Sequence, residues 1–295
     1  MKEKLSRPAS LLLCCLGYLT AFTSCLLAES FLEDLHPIII TIILDIFATL
    51  IIFLFSVGFN NSSFYDPYWS IAPSVILFFW ICAGSGSERN LYRTGLIMIL
   101  VIIWSVRLTW NWIRRWDGMK HEDWRYMNFR KQYGKYYWFI SFLGIHLFPT
   151  LVVLVACLPA YPSLTSMPEP LNMIDIIAAL VTFTAIVIET IADRQLRKFL
   201  LKKEQQPFLK KGLWKYSRHP NYFGEVLFWL GLFLFSLNSD TVTWWTLPGP
   251  VLMVLLFVFI SIPMIDRRML ERKQGYDEYY RATSAIVPWV KNKLI

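Results

Sequence analysis

The chain has 295 residues, 56% apolar and 17% aromatic, and a formal net charge of +8. Length alone allows one or two soluble domains, but the apolar residues gather into eight runs near the spanning length of about 20 residues, with no soluble-domain-sized segment between them. That excludes a soluble enzyme and predicts an all-α fold: a polytopic transmembrane helix bundle of seven to eight spans with an amphipathic C-terminal helix, one integral membrane domain over residues 1–295.

The predicted spans are about 9–28, 37–59, 69–83, 95–113, 138–160, 171–192, 220–237 and 243–265. Lys2, Lys4 and Arg7 precede the first, as in a signal peptide, but Cys14, Cys15, Tyr18, Thr20 and Thr23 spread through it and no small-residue cleavage pattern follows. A retained first helix is therefore expected. At the entry of the short third span stand Tyr65, Asp66, Pro67, Tyr68 and Trp69. An Asp-Pro pair favours a turn; a carboxyl group at an apolar boundary, if held protonated, is also a hydrogen-bond donor for a carbonyl. Arg107 lies inside the fourth span, where it must face the bundle interior and pair, with Asp45, Asp66 or Asp175 as partner.

Residues 114–137 alternate charge with Trp, Tyr and Phe and predict an interfacial amphipathic helix. On it Glu122, Arg125 and Tyr126 form an i, i+3, i+4 set. His146, inside the fifth span, is read as a packed core residue. A polar, Pro-rich outer loop is expected at 161–170. At the end of the sixth span Glu189 and Asp193 fall at i and i+4, where like charges repel. A cation or ligand between them is expected, and Arg197 or Arg218 could serve.

The densest group of polar side chains lies at 212–225, ahead of an apolar run. Arg218, Asn221, Tyr222 and Glu225 share one helical face at i, i+3, i+4 and i+7. Ser217 is the expected N-cap and Pro220 the first-turn residue. Free backbone N–H groups with Lys210, Lys211, Lys215 and Arg218 beside them suit a phosphate. The seventh span carries Glu225 and is read as broken or only partly spanning. The tail from Asp266 to Arg281 is helical and charged, and its end at Val287-Pro288-Trp289 is expected to dock back on the membrane.

With a cytosolic N-terminus and eight spans, 26 of the 29 Lys and Arg fall on the cytosolic side, as the positive-inside rule demands. Both termini are then cytosolic. The charge suits anionic lipid headgroups and requires no nucleic acid. The five cysteines all lie in apolar runs without a CxxC spacing, so neither a disulfide framework nor a metal site is expected.

These residues make the chain similar to the steroid 5-alpha-reductase-like membrane enzymes, in particular the DUF1295 branch. The Gly-Leu-Trp-(Lys/Arg)-Tyr-Ser-Arg-His-Pro-Asn-Tyr-Phe-Gly-Glu pattern of that branch is met throughout 212–225. Its Glu-Asp-x-Arg-Tyr element is met at Glu122, Asp123, Arg125 and Tyr126, and its Ala-Asp-x-Gln element at Ala192, Asp193 and Gln195. The closing elements appear as Tyr276, Tyr279 and Val287-Pro288-Trp289. The resemblance implies reduction of a carbon–carbon double bond conjugated to a carbonyl, using NADPH held among the cytosolic halves of the later spans. It assigns Asn221 and Arg197 to the cofactor site and, more loosely, Arg107 and Arg115. With the residues read above, the cofactor set is Arg107, Arg115, Arg125, Asp193, Arg197, Arg218, His219 and Asn221, and the catalytic candidates are Asp66, Tyr222 and Glu225. Asp66, seven residues before Pro73, stands near where the steroid reductases keep a substrate-holding Glu, and the accompanying Tyr has no match, Trp104 falling nearby. Asp266 replaces a usual Glu. No Gly-x-Gly-x-x-Gly occurs, so a Rossmann reductase is excluded.

The expected substrate is a hydrophobic small molecule or lipid, in a bacterial inner membrane or the endoplasmic reticulum. An alternative is an S-adenosylmethionine-dependent methyltransferase resembling isoprenylcysteine carboxyl methyltransferase, which shares an Arg-His-Pro-x-Tyr element and a similar tail. Its acidic pair before the tail is replaced here by Arg267-Arg268 and an isolated Glu271. A non-enzymatic lipid-binding protein is a third reading.

Overall fold

Apolar runs this long bury their backbone polar groups only by coiling into helices, and the described residues carry no β-strand beyond one bridge between Ser217 and Ser284. The computed structural model describes residues 5–84, 89–165, 168–202, 206–238 and 243–289. Lys2, Lys4 and residues 166–167 of the predicted outer loop lie outside them. Among the described residues, seven helical segments are long and apolar enough to cross a membrane: Arg7–Glu29, Pro37–Gly58, Ser62–Ala83, Leu91–Arg115, Trp124–Cys157, Met173–Lys202 and Trp244–Arg272. The chain is an integral, multi-pass membrane protein. The predicted seventh span is α10 below, whose 17 residues make about 26 Å at 1.5 Å per residue, short of a hydrocarbon core of about 30 Å.

Two compact units are present, residues 1–87 with 101–155 and residues 88–100 with 156–295. The first holds α1 (Arg7–Glu29), α2 (Pro37–Gly58), α3 (Tyr68–Ala83), most of α4 (Leu91–Arg115), α5 (Trp124–Tyr133), α6 (Tyr137–Ile140) and α7 (Phe148–Cys157). Helix starts follow local chemistry. Ser6 and His36 side chains accept from Ala9 N and Ile38 N, and each helix carries Pro in its first turn. Inside the unit the hydroxyls and rings find partners, as a bilayer requires. Thr49 meets Thr150 at 2.8 Å, Thr150 meets the Tyr65 hydroxyl at 2.8 Å, and Trp80 Nε1 donates to Thr41 at 2.8 Å. His146 is fully buried, with Nε2 3.1 Å from Ser56 Oγ and Nδ1 2.9 Å from the Ser141 carbonyl oxygen. It sits in a π-helical stretch, Ser141–Leu147, that joins α6 to α7.

The second unit holds the start of α4, α8 (Ala160–Thr165), α9 (Met173–Lys202), α10 (Pro220–Ser236), α11 (Pro248–Leu256), α12 (Ile262–Arg272) and α13 (Tyr276–Ala282). The predicted outer loop begins as α8, whose Ser163 hydroxyl donates to the Phe235 carbonyl at 3.0 Å. The α9–α10 pair runs antiparallel at close range. A Cβ on Gly224 would overlap the Glu189 side chain and lie 3.0 Å from the Ala185 carbonyl oxygen, and one on Gly231 would overlap Thr182. Small residues at seven-residue spacing thus set the approach of the two backbones. Arg93 and Asp175, both fully buried, form a two-point ion pair at 2.8 and 2.9 Å.

Gly231→Leu is expected to destabilise the protein by at least about 1–3 kcal/mol through overpacking. Gly95→Ala, with open space around it, is expected to gain about 0.5–1 kcal/mol. Thermal melting of the two variants in one detergent checks both signs. Arg93→Met leaves Asp175 as an uncompensated buried charge and is expected to cost about 3–5 kcal/mol, seen in the same assay; an unchanged melting point would show that the pair carries no such weight.

Candidate functional site

The 212–225 segment is held at almost every residue. Gly212 takes φ +64°, and a Cβ there would sit 2.5 Å from the Gln195 amide. Gln195 Oε1 accepts from Leu213 N at 2.9 Å, and Trp214 Nε1 donates to the Ala192 carbonyl at 3.1 Å. The Ala192 and Gln195 element of α9 is therefore the cradle of the Gly212-Leu213-Trp214 turn. From the other side the tail closes in. Tyr279 donates its hydroxyl to the Trp214 carbonyl at 2.5 Å, Arg218 N donates to the Ser284 carbonyl at 2.9 Å, and Trp289 N donates to the Tyr216 carbonyl at 3.1 Å.

Ser217 is not the N-cap of α10. Its hydroxyl accepts from His219 N at 3.1 Å and donates to the Ile286 carbonyl at 2.8 Å, and the N-cap position falls two residues later, at His219, with the helix beginning at Pro220.

Asp266, near the middle of α12, is the hub. Its Oδ2 accepts from Arg218 Nη2 at 3.0 Å and Nε at 3.3 Å; its Oδ1 lies 3.0 Å from His219 Nε2 and accepts from the Tyr276 hydroxyl at 2.7 Å. Arg218 Nη1 donates to the carbonyls of Tyr280 at 2.7 Å and Thr283 at 2.5 Å, and its guanidinium stacks over the Tyr280 ring at 4.2 Å. Arg218, His219 and Asp266 are all buried. Burial, and next the Asp266 carboxylate it faces, push the Tyr276 phenol far above its ordinary range, so it stays a donor. Phe208 packs its ring on Tyr276 and Tyr279 at 5.2 and 5.3 Å.

Beyond this lock stand the remaining residues of the predicted face. Asn221 carries a buried side-chain oxygen with no hydrogen-bond partner among the described residues. Tyr222 is stacked between His219 at 5.5 Å and Phe257 at 4.7 Å. Glu225 and, on α9, Asp193 are half-buried, whereas Arg197 is exposed. A pocket of about 210 Å³ lies between α9 and the segment before 212, lined by Gln195, Lys198, Lys202, Leu209, Lys211 and Gly212 among others.

In the first unit a second polar cluster forms around the turn at 61–66. Asn61 caps it by accepting from Ser63 N at 2.9 Å. Glu122 does not share the α5 face with Arg125 and Tyr126: it precedes the helix and is buried, accepting from Ser62 N at 2.8 Å and Arg130 Nη2 at 3.0 Å. Asp123 is the N-cap of α5, accepting from Arg125 N at 2.9 Å and Arg125 Nε at 2.8 Å. Asp66 Oδ1 accepts from the Tyr126 hydroxyl at 2.6 Å. The three carboxylates considered for Arg107 thus have other partners: Tyr68 for Asp45, Tyr126 for Asp66 and Arg93 for Asp175. Arg107 is half-buried on α4, and Arg115, exposed at its end, donates from Nε to the Asn111 carbonyl at 3.3 Å.

Asp266 with Tyr276, and Tyr126 as partner of Asp66, were not on the sequence-derived list of site residues. Each joins segments far apart in the chain, which no helical or alternating period marks. The visible signal was an acid, Asp266, closing an apolar run ahead of the basic tail.

Fold and site together define a multi-pass α-helical membrane protein with a buried polar lock between its last spanning helix and its tail. The chain belongs to the family described as protein of unknown function (DUF1295), whose sequence model matches residues 52–283. It is 26% identical over 249 residues to the uncharacterized protein C594.04c of Schizosaccharomyces pombe, which covers 77% of this chain and 72% of that one. No solved structure matches it.

Asp266→Ala strands the Arg218 cation in a buried position and is expected to cost about 3–5 kcal/mol. It should also free the tail, so that limited trypsin digestion cuts at Arg281 under conditions that spare the parent. Glu271→Gln breaks only the exposed pair with Arg267, worth about 0.3–0.5 kcal/mol, and should leave the digestion pattern unchanged.

Proposed function

We propose that the chain is an NADPH-dependent membrane reductase of the steroid 5-alpha-reductase type, acting on a carbon–carbon double bond conjugated to a carbonyl in a lipid or similar apolar substrate. The observation that carries this reading is Asn221. On a segment otherwise saturated with hydrogen bonds, its side-chain oxygen is buried and accepts none among the described residues. An unsatisfied buried acceptor is costly, and a carboxamide or ribose hydroxyl of a dinucleotide supplies the missing donor. Such a cofactor also needs cations for its phosphates. Arg218 is committed to Asp266 and to two carbonyls, which gives it and His219 the role of fixing the start of α10. The lysines at the 210 Å³ pocket, Lys198, Lys202 and Lys211, with exposed Arg197, suit the 2′-phosphate better. Arg107, Arg115, Arg125 and Asp193 remain further candidates for cofactor contact, and with α10 counted as an eighth span the positive-inside charge pattern favours the cytosolic side for these groups and both termini.

NADPH, when bound, supplies the hydride that the β-carbon of the enone takes up. The chain's own task is to meet the negative charge that develops on the carbonyl oxygen. In the proposed reaction Asp66 carries the proton aimed at that oxygen, and the Tyr126 hydroxyl, 2.6 Å from its Oδ1, fixes the orientation of the carboxyl. Tyr222 and Glu225 stay with Asp66 as candidate catalytic groups. As the enolate collapses, its α-carbon takes a proton from water, which completes the addition of one hydride and one proton across the double bond.

The test is a thermal-shift titration of the full chain in detergent with NADPH, NADH and S-adenosylmethionine. A ligand specific to the folded state at 100 times its dissociation constant adds about 2.7 kcal/mol. The expected result is a shift with NADPH, smaller with NADH, that disappears in Asn221→Ala. A shift with S-adenosylmethionine alone overturns the reductase reading and favours the methyltransferase; no shift with any of the three favours a lipid-binding protein without turnover.

A further inference from the structure

The helices α1, α2 and α3 of the first unit wall a cavity of about 340 Å³, within the range of small-molecule sites. Its wall is mostly apolar, and its polar lining is Tyr18, Glu29, Thr41, Asp45 and Tyr68. Asp45, near the middle of the 22-residue α2, lines it and is only 7% exposed. The Tyr68 hydroxyl donates to Asp45 Oδ1 at 2.5 Å, and Tyr68 also lines the cavity. The other oxygen, Oδ2, is buried and has no hydrogen-bond partner among the described residues. Phe22, Leu26, Val75 and Phe78 line the same cavity and are 46%, 54%, 40% and 61% exposed, so it opens sideways between the helices toward hydrocarbon.

We infer that the α1–α3 cavity binds a membrane-dissolved lipid alcohol, its apolar body between the helices and its hydroxyl on Asp45 Oδ2. The chemistry selects that class. A body entering from the bilayer side must be apolar. The head must satisfy a single carboxyl oxygen, and a hydroxyl, which both donates and accepts, does so whether Asp45 is ionised or protonated. An ether or hydrocarbon of the same length leaves an ionised Oδ2 unmet. Tyr18, Phe22, Cys25, Thr41 and Asp45 precede residue 52, where the family match begins. The site is distinct from the groups proposed above for reduction, and its test is independent of NADPH.

The experiment is photolabelling of the full chain in nanodiscs with octadecanol carrying a mid-chain diazirine, read by peptide mass spectrometry. Label is expected on α1–α3 peptides, displaced by unlabelled octadecanol at about tenfold lower concentration than by its methyl ether. In Asp45→Leu the alcohol should lose this advantage over the ether. Because that change also releases Tyr68, Ala48→Phe serves as the second variant: it fills the cavity from α2 without touching the pair, and should abolish displaceable label on these peptides. Equal displacement by octadecanol, its ether and octadecane would overturn the inference and leave a lipid-filled crevice without selectivity. Displaceable label that survives Ala48→Phe unchanged would overturn it too.

Discussion

A carboxylate buried among membrane helices must be met by charged or hydrogen-bonding partners, because hydrocarbon supplies none. Asp266 satisfies that demand by gathering a guanidinium and an imidazole from 218–219 and a phenol from Tyr276. The consequence reaches well beyond one ion pair. Holding Arg218 fixes where α10 starts. The same arginine's second nitrogen fixes the tail carbonyls of Tyr280 and Thr283, and the docked tail in turn holds Trp214 through Tyr279. Remove the carboxylate and the loop before α10, its first turn and the tail all lose a common support, which is why residues that look like ligand contacts in the sequence act first as framework.

The spans were legible because their signal is compositional: about 20 apolar residues between charged or Pro-containing boundaries admit only one structure. The weakest reading, the segment at 220–237, was weak for a physical reason. Its helix is 17 residues long, carries Glu225, and packs its glycines against α9, so its character comes from a neighbour rather than from hydropathy. The signature at 212–225 was legible as a site but not as a lock. A motif names residue types, whereas Arg218 finds Asp266 across 48 positions, and no local rule predicts that. Glu122 shows the same limit. Its spacing to Arg125 and Tyr126 fits a helical face, yet the helix starts after it because Asp123 is the better cap, and its carboxylate turns instead to the backbone of Ser62.

Close packing explains why glycine matters at a few places only. Gly224 and Gly231 lie against side-chain and backbone atoms of α9, and Gly212 lies against the Gln195 amide in a left-handed conformation, while Gly95 and Gly144 have open space around them. The first group lets two helices and a turn approach within a distance that any Cβ would forbid, so the polar side chains on them reach each other. In a membrane, where apolar burial does little to drive helix association, that approach supplies the dispersion contacts that hold the pair together.

Three aspartates buried among the described residues divide by how fully they are met. Asp175 has both oxygens on Arg93, and Asp266 has both oxygens on a guanidinium, an imidazole and a phenol. Asp45 has one oxygen on Tyr68 and one on nothing among the described residues. A fold that satisfies two buried carboxylates this fully does not lack the means to satisfy a third: a hydroxyl residue at Ala48 or Ala72, both at the cavity wall, would have offered one more donor. The carboxyl group instead faces an apolar cavity open to hydrocarbon. Polar groups left short of a partner in an otherwise well-satisfied interior are expected where a ligand completes them, and in this first unit only a molecule soluble in the bilayer has a path to do so.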